Sequence, residues 1–184
     1  MSKHDLQYMR IAHIWSENSS AVRHKVGAII VKDGMIISDG YNGTPSGFDN
    51  CCETYEPQNG CQKKFLEEDI SGIGCQGELH TLIEGNVAKY VCKYADRCKF
   101  AKSVTKPEVL HAEANAITKL AKTTNSSDGA TLYVTMSPCI ECAKLIIQSG
   151  IKKVYYDEIY RNTDGLELLE KAGIETIQLH VSMK

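Results

Sequence analysis

The sequence predicts an α/β fold that contains both antiparallel and parallel strands. The first half begins with an amphipathic helix pattern and continues with two β-rich runs around an Asp-Gly turn. The second half alternates helical and strand patterns along the chain. A tight turn joins antiparallel strands, whereas strands separated by helices favour parallel pairing. We therefore expect a hairpin near the start of the chain and a parallel arrangement in the second half.

The first half supplies one helix and the hairpin. Apolar residues at three-residue steps predict a helix from Asp5 to about Ser16, at Leu6, Met9, Ala12 and Trp15. The runs Val26–Val31 and Met35–Ser38 flank Lys32-Asp33-Gly34, where Gly34 can supply a positive φ. A loop rich in Gly, Asn and Pro follows at Gly40–Gly47.

The second half predicts three helices and three strands, whereas Asn50 to Pro107 predicts no element. The helices are His111–Lys122, Cys139–Ser149 and Asp164–Ala172, and the strands are Thr131–Thr135, Lys153–Tyr156 and Glu175–Leu179. Gly150 and Gly173 are suitable C-terminal caps. We expect a single domain over residues 1–184 with an irregular, cysteine-rich insert at about 50–107.

Composition limits the classes of function. The chain has 184 residues, with 21 Lys and Arg against 23 Asp and Glu, a formal net charge of -2. A protein that grips long nucleic acid usually carries a basic excess, so long nucleic acid is an unexpected partner. No apolar stretch approaches the ~20 residues that span a bilayer, and no secretory signal is visible. We expect a cytoplasmic protein with 8 cysteines, and in that compartment cysteines in motif spacing more often bind metal or do chemistry than form disulfides.

Two short motifs predict a catalytic zinc centre. His111-Ala112-Glu113 and Pro138-Cys139-Ile140-Glu141-Cys142 each begin a predicted helix. Helical spacing turns the two cysteine sulfurs to one side, and a helix N-terminus stabilises thiolates. With His111 they make three protein ligands, which leaves a fourth position open for water. Glu113 lies beside His111 and is the predicted catalytic base.

Two other classes fit parts of this pattern. Cys139 and Cys142 alone could form a dithiol redox pair, and a zinc site could stabilise a binding protein without catalysis. Glu113 favours catalysis, because a structural site has no need of a proton shuttle.

The combined motifs resemble the cytidine and deoxycytidylate deaminase superfamily. Four strings are similar to its deoxycytidylate (dCMP) branch: Gly40–Gly47, His111–Ile117, Ser137–Lys144 and Gln148–Lys152. The resemblance implies a cytidine-deaminase-like three-layer α/β/α fold with a central five-stranded mixed sheet. It also implies hydrolysis of dCMP to dUMP and ammonia, with Glu113 moving the proton. Cytidine, guanine, tRNA adenosine and cytosine in single-stranded DNA remain alternative substrates.

The resemblance further implies nucleotide binding around the Gly-Tyr-Asn-Gly loop. Substrate contacts are predicted at Asn42, Ala112 and Ser137. Regulatory dCTP, an activator, and dTTP, an inhibitor, would bind with Mg²⁺ near Arg23, Tyr41, Asn42 and Gly43, in a homo-oligomer such as a hexamer. A structural turn at Asn42 and a solvated surface at the basic triplet Arg23-His24-Lys25 are the alternatives.

Two further features have no assigned role. A second, structural zinc is an open alternative for the insert, whose candidates are Cys51, Cys52, Cys61, Cys75, Cys92, Cys98 and His80. Adjacent Cys51 and Cys52 cannot easily both face one core. At least one of Tyr155, Tyr156 and Tyr160 is expected in the core, and Tyr160 or Arg161 could close over the nucleotide.

Overall fold

The computed structural model describes residues 3–57, 79–84, 87–92 and 101–182. Contacts divide the chain into two compact units, Met1–Cys52 together with Glu108–Lys184, and Glu53–Pro107. The second unit lies within the predicted insert, and a single domain over residues 1–184 stays a prediction. No helix in the described ranges is long and apolar enough to cross a membrane.

The described residues form four helices and nine strands. The helices are α1 Lys3–Ser16, α2 Ala112–Leu120, α3 Ile140–Gln148 and α4 Asp164–Lys171. The strands are β1 Gly27–Lys32, β2 Met35–Tyr41, β3 Glu53–Pro57, β4 Leu79–Glu84, β5 Val87–Cys92, β6 Ala101–Thr105, β7 Thr131–Met136, β8 Lys153–Glu158 and β9 Glu175–Gln178.

A five-stranded mixed sheet forms the first unit, in the order β2-β1-β7-β8-β9. β1 pairs antiparallel with β2 and β7, whereas β8 runs parallel to β7 and β9. The hairpin turn has φ values of 51° at Asp33 and 76° at Gly34, the positive pair of a type I′ turn. The predicted hairpin and the parallel second half are both confirmed.

Helices cover both faces of this sheet, which confirms the three-layer fold. Successive strand residues point to opposite faces. Ala28 and Ile30 of β1 belong to a core cluster with residues of α2, α3 and α4. Ile29 and Val31 belong to a second cluster with residues of α1. Tyr155 lies in that second cluster at 4% exposure, so a tyrosine of β8 packs in the core as expected.

Helices α3 and α4 end just before the glycines that were predicted to cap them. Gly150 after α3 has φ 78° and Gly173 after α4 has φ 74°. A residue with a side chain adopts this left-handed conformation only at a cost, so glycine ends a helix here.

The second unit contains strands where no element was expected. β3 pairs antiparallel with β6, and β4 pairs antiparallel with β5. The sequence Gly85-Asn86 between β4 and β5 is a recognised hairpin signal that could have predicted that pair. The strands β3 and β6 are far apart in the sequence, so no local pattern indicates their pairing.

Candidate metal centre and nucleotide site

The three predicted metal ligands lie together in the first unit. His111 and Cys139 are the N-cap residues of α2 and α3, in extended backbone conformations, and neither side chain caps its helix. Both side chains are therefore available to bind a metal ion. Cys142 lies in the first turn of α3, and burial increases from exposed His111 through Cys139 to buried Cys142.

The donor atoms have the spacing that tetrahedral zinc requires. The Nδ1 atom of His111 lies 3.4 Å from the Sγ atom of Cys139 and 3.4 Å from that of Cys142. Zn–S bonds of about 2.3 Å and Zn–N bonds of about 2.0 Å at tetrahedral angles separate sulfur from nitrogen by about 3.5 Å. One nitrogen and two sulfurs are also a donor set that zinc prefers. The residues therefore fit a zinc ion with an open fourth position.

The thiols of Cys139 and Cys142 have pKa values shifted in opposite directions. A hydrogen bond from Cys142 lowers the pKa of Cys139 to about 3, and the His111 side chain adds to this shift. The same hydrogen bond, together with burial, raises the pKa of Cys142. The hydrogen bond with Cys139 also raises the pKa of His111. A metal that takes both sulfurs as thiolates must displace the proton of the Cys142 thiol.

Glu113 is a buried carboxyl group beside these ligands. Its exposed fraction is 3%, and it lies in the first turn of α2. Burial raises the pKa of Glu113 to about 7. A carboxyl that titrates near neutral pH can accept a proton and return it, which suits a general acid–base group.

The loop predicted to bind nucleotides, Gly40–Gly47, is hydrogen-bonded to the residue that precedes His111 and α2. Gly43 and Leu110 form a two-way backbone bridge, with N···O distances of 3.1 and 2.9 Å. Leu110 immediately precedes His111. One turn further along α2, Asn115 donates a side-chain hydrogen bond of 3.0 Å to the Tyr41 carbonyl. The tertiary structure thus brings Tyr41 and Gly43 next to the candidate metal centre.

The amide of Asn42 joins two loops. Its Oδ1 atom accepts a hydrogen bond of 2.8 Å from Val26 N–H, and its Nδ2 atom donates one of 2.8 Å to the His24 carbonyl. The Asn42 carbonyl accepts a bond of 2.7 Å from Ser19 Oγ. One N–H and one lone pair of the amide remain for a ligand. The loop that contains exposed Arg23 is therefore fastened to Asn42.

Ala112 and Ser137 flank the ligands and are both buried. Ala112 lies between His111 and Glu113 with 0% exposure. Ser137 has 2% exposure, and its Oγ atom accepts a hydrogen bond of 2.8 Å from Tyr160 N–H. The Arg161 guanidinium lies 5.6 Å from the Tyr160 ring centroid. The segment after β8 is thus attached next to the Pro-Cys-x-x-Cys turn, and contact with a nucleotide stays a prediction.

Some of the insert cysteines lie among the described residues and others do not. Cys51 is exposed and Cys52 is buried, so the two neighbours do face different surroundings. His80 and Cys92 lie on β4 and β5. Cys61, Cys75 and Cys98 lie outside the described residues, and the second zinc stays a prediction.

Sequence reasoning missed the buried carboxyl group of Asp157 and its two histidine partners. Asp157 on β8 is 7% exposed and its two carboxylate oxygens lie 2.8 Å from His13 Nε2 and 3.0 Å from His180 Nδ1. These residues are far apart in the sequence, so no spacing indicates the contact. The group joins α1, β8 and the segment after β9.

A mixed sheet with a His-Cys-Cys centre at two helix N-termini and a buried glutamate beside it defines the class of zinc-dependent deaminases. The family described as the cytidine and deoxycytidylate deaminase zinc-binding region matches residues 2–158. The chain belongs to this family.

The relatives of this chain include deoxycytidylate deaminases of phages. The deoxycytidylate deaminase of Enterobacteria phage T4 is 40% identical over 173 residues, which cover 93% of this chain and 87% of that protein. ComE operon protein 2 of Bacillus subtilis is 32% identical, with 95% and 70% covered. The crystal structure of dCMP deaminase from cyanophage S-TIM5 in complex with dCMP and dUMP has a TM-score of 0.68 and 37% identity, with 97% and 99% covered.

Proposed function

We propose that this protein hydrolyses dCMP to dUMP and ammonia and so supplies dUMP for thymidylate synthesis. The observation that carries the proposal is the convergence of His111, Cys139, Cys142 and buried Glu113 in one site. Similarity to phage deoxycytidylate deaminases over nearly the whole chain supports the choice of substrate.

The chain's own groups have distinct parts in this reaction. His111, Cys139 and Cys142 would hold zinc, which acidifies the attacking water. Glu113 takes a proton from that water and passes it to ring nitrogen N3 while the oxygen adds to C4. The C4–N bond then breaks, and Glu113 delivers the second proton from the water-derived oxygen to the leaving amine. The products are dUMP and ammonia.

The role of Glu113 has a matched control within the chain. Glu113→Gln should retain zinc and lower kcat by about 10² to 10⁴, because the proton carrier is gone. Glu141→Gln makes the same chemical change in the first turn of α3, where Glu141 is exposed and paired with Lys144 at 2.6 Å. Glu141→Gln should keep full activity. A zinc-loaded Glu113→Gln protein that turns over at the wild-type rate contradicts the assigned role.

The substrate is tested by ammonia release from zinc-loaded protein. Parallel reactions would contain dCMP, deoxycytidine or a cytosine-containing oligonucleotide. We expect turnover of dCMP alone. If deoxycytidine or the oligonucleotide reacts while dCMP is inert, the zinc chemistry stands and the substrate assignment fails. If the protein binds zinc but reacts with none of them, the dCMP assignment fails, and guanine, tRNA adenosine and a non-catalytic zinc protein are the alternatives.

Regulation and assembly form a separate part of the proposal. dCTP, with Mg²⁺ on its phosphates, activates the enzyme at the surface around Arg23, Tyr41, Asn42 and Gly43, and dTTP inhibits it there. The fastening of the Arg23 loop to Asn42 supports a shared site, because it gives charge and glycine backbone a common location. A homo-oligomer, as a hexamer, and a cytoplasmic location complete the proposal. Rates with dCTP or dTTP, and the mass in solution, test these parts.

A further inference from the structure

The backbone of β2 comes very close to the backbone of α2 at Gly40, a residue that has no side chain. Helix α2 is the helix that begins after the predicted ligand His111. A Cβ atom at Gly40 would lie 2.6 Å from the Ala116 nitrogen and closer still to the Ala112 carbonyl oxygen. Real Cβ atoms essentially never come within 3.0 Å of such atoms. Gly40 is not among the glycines with positive φ. The position therefore requires glycine for space and not for backbone conformation.

The helix that rests on Gly40 carries half of the candidate site. Ala112 lies between the ligand His111 and the predicted base Glu113. Ser38 Oγ donates a hydrogen bond of 2.6 Å to the Ala116 carbonyl, which holds the same turn of α2 against β2. The approach at Gly40 therefore sets how far α2 stands from the sheet.

A second close contact of this kind joins α4 to the backbone at Pro138 and Cys139. A Cβ atom at Gly165, in the first turn of α4, would lie 2.9 Å from the carbonyl carbons of Pro138 and Cys139. It would be closer still to the Pro138 oxygen. Gly165 also lacks a positive φ. Because α4 lies directly against the peptide that leads into Cys139, it limits where that sulfur can lie.

We propose that Gly40 and Gly165 are positioning residues of the metal centre. Gly40 places the start of α2, and Gly165 places the turn before α3. Together they set the distance of 3.4 Å between His111 Nδ1 and the Cys139 sulfur. Metal–ligand distances tolerate errors of only about 0.2 Å, so a displaced helix loses affinity. The inference rests on the proposed metal centre, and it is independent of which substrate the enzyme uses.

The chain offers a matched control for both residues. A Cβ atom at Gly27 on β1 would lie 2.7 Å from the Ser16 nitrogen and closer still to the Ala12 oxygen, so it crowds α1. This glycine also has no positive φ. Helix α1 contributes none of the predicted ligands. Gly27→Ala should therefore disturb packing as Gly40→Ala does, with no direct effect on the ligands.

The experiment compares Gly40→Ala, Gly165→Ala and Gly27→Ala without measuring turnover. Zinc affinity is measured by competition with a chromophoric chelator, and the visible absorption of bound Co²⁺ reports ligand geometry. Gly40→Ala and Gly165→Ala should weaken zinc binding about 10- to 100-fold, the loss typical when supporting residues of a metal site change. Their Co²⁺ bands should shift. Gly27→Ala should bind zinc within about threefold of wild type while losing comparable stability towards urea.

Each outcome decides between the inference and its alternatives. Wild-type affinity and Co²⁺ spectra in Gly40→Ala and Gly165→Ala overturn the inference, as does an equal loss in Gly27→Ala. If Gly40→Ala does not fold, Ser38→Ala replaces it, because it loosens the same helix without adding atoms. Unchanged zinc affinity in Ser38→Ala then overturns the part assigned to Gly40. A wild-type chain that binds no zinc overturns the metal centre and the proposed function, which is a distinct result.

Discussion

Replacement of Asn42 by alanine separates a structural role from a substrate role. The wild-type amide accepts a hydrogen bond from Val26 N–H and donates one to the His24 carbonyl, each 2.8 Å long. Alanine removes both hydrogen bonds and also the N–H and lone pair left for a ligand. The variant therefore tests the predicted substrate contact and the observed loop attachment together.

Ser19→Ala is the matched control, because it also removes two hydrogen bonds from the same junction. Ser19 Oγ donates to the Asn42 carbonyl at 2.7 Å and accepts from Ala21 N–H at 3.1 Å. Each neutral hydrogen bond contributes about 0.5–1.5 kcal/mol, so either variant should lose about 1–3 kcal/mol of unfolding free energy. The Asn42 amide itself is unchanged in Ser19→Ala.

Urea unfolding and steady-state kinetics with dCMP would be measured on both variants at a temperature where both are folded. If Asn42 contacts the substrate, Asn42→Ala should lose about tenfold more in kcat/KM than Ser19→Ala at similar stability. Equal losses of kcat/KM would refute the substrate contact and leave Asn42 as a structural residue. Unchanged stability in Asn42→Ala would refute the loop attachment.

Two further predictions concern titration. Burial and the hydrogen bond of 2.9 Å to Asp5 raise the pKa of Tyr133, so its contribution to stability is complete below pH 10 and declines as the pH rises. Tyr133→Phe should remove a slope of about 1.4 kcal/mol per pH unit above pH 10, measured by urea unfolding at several pH values, and parallel slopes for the two proteins contradict this. In protein stripped of metal, iodoacetamide at pH 6 should alkylate Cys139 before Cys142, because the pKa of Cys139 is lowered to about 3 and that of Cys142 is raised. Zinc should protect both thiols from alkylation, and mass spectrometry would detect the modified residues. Preferential alkylation of Cys142 contradicts the prediction that Cys142 keeps its proton and Cys139 is the thiolate.

Local patterns in the sequence were sufficient for the helices and strands of the first unit and for the reactive groups. Helical and strand periodicities depend on which residues face the core, and this information is contained in neighbouring residues. The spacing of Cys139 and Cys142 and the adjacency of His111 and Glu113 are equally local. The same reason explains why β3 and β6 were missed, since their pairing joins distant segments.

The tertiary structure alone decided which distant groups meet. The sequence marks Gly40 as part of a loop and Gly165 as part of a helix start, but the atoms that exclude a side chain belong to α2 and to the Pro138–Cys139 peptide. Likewise, Asn42 is tied to Val26 only because two loops meet. Contacts of this kind have no period along the chain. A sequence therefore names the groups that do chemistry, whereas the packing of helices on the sheet sets the distances at which they can act.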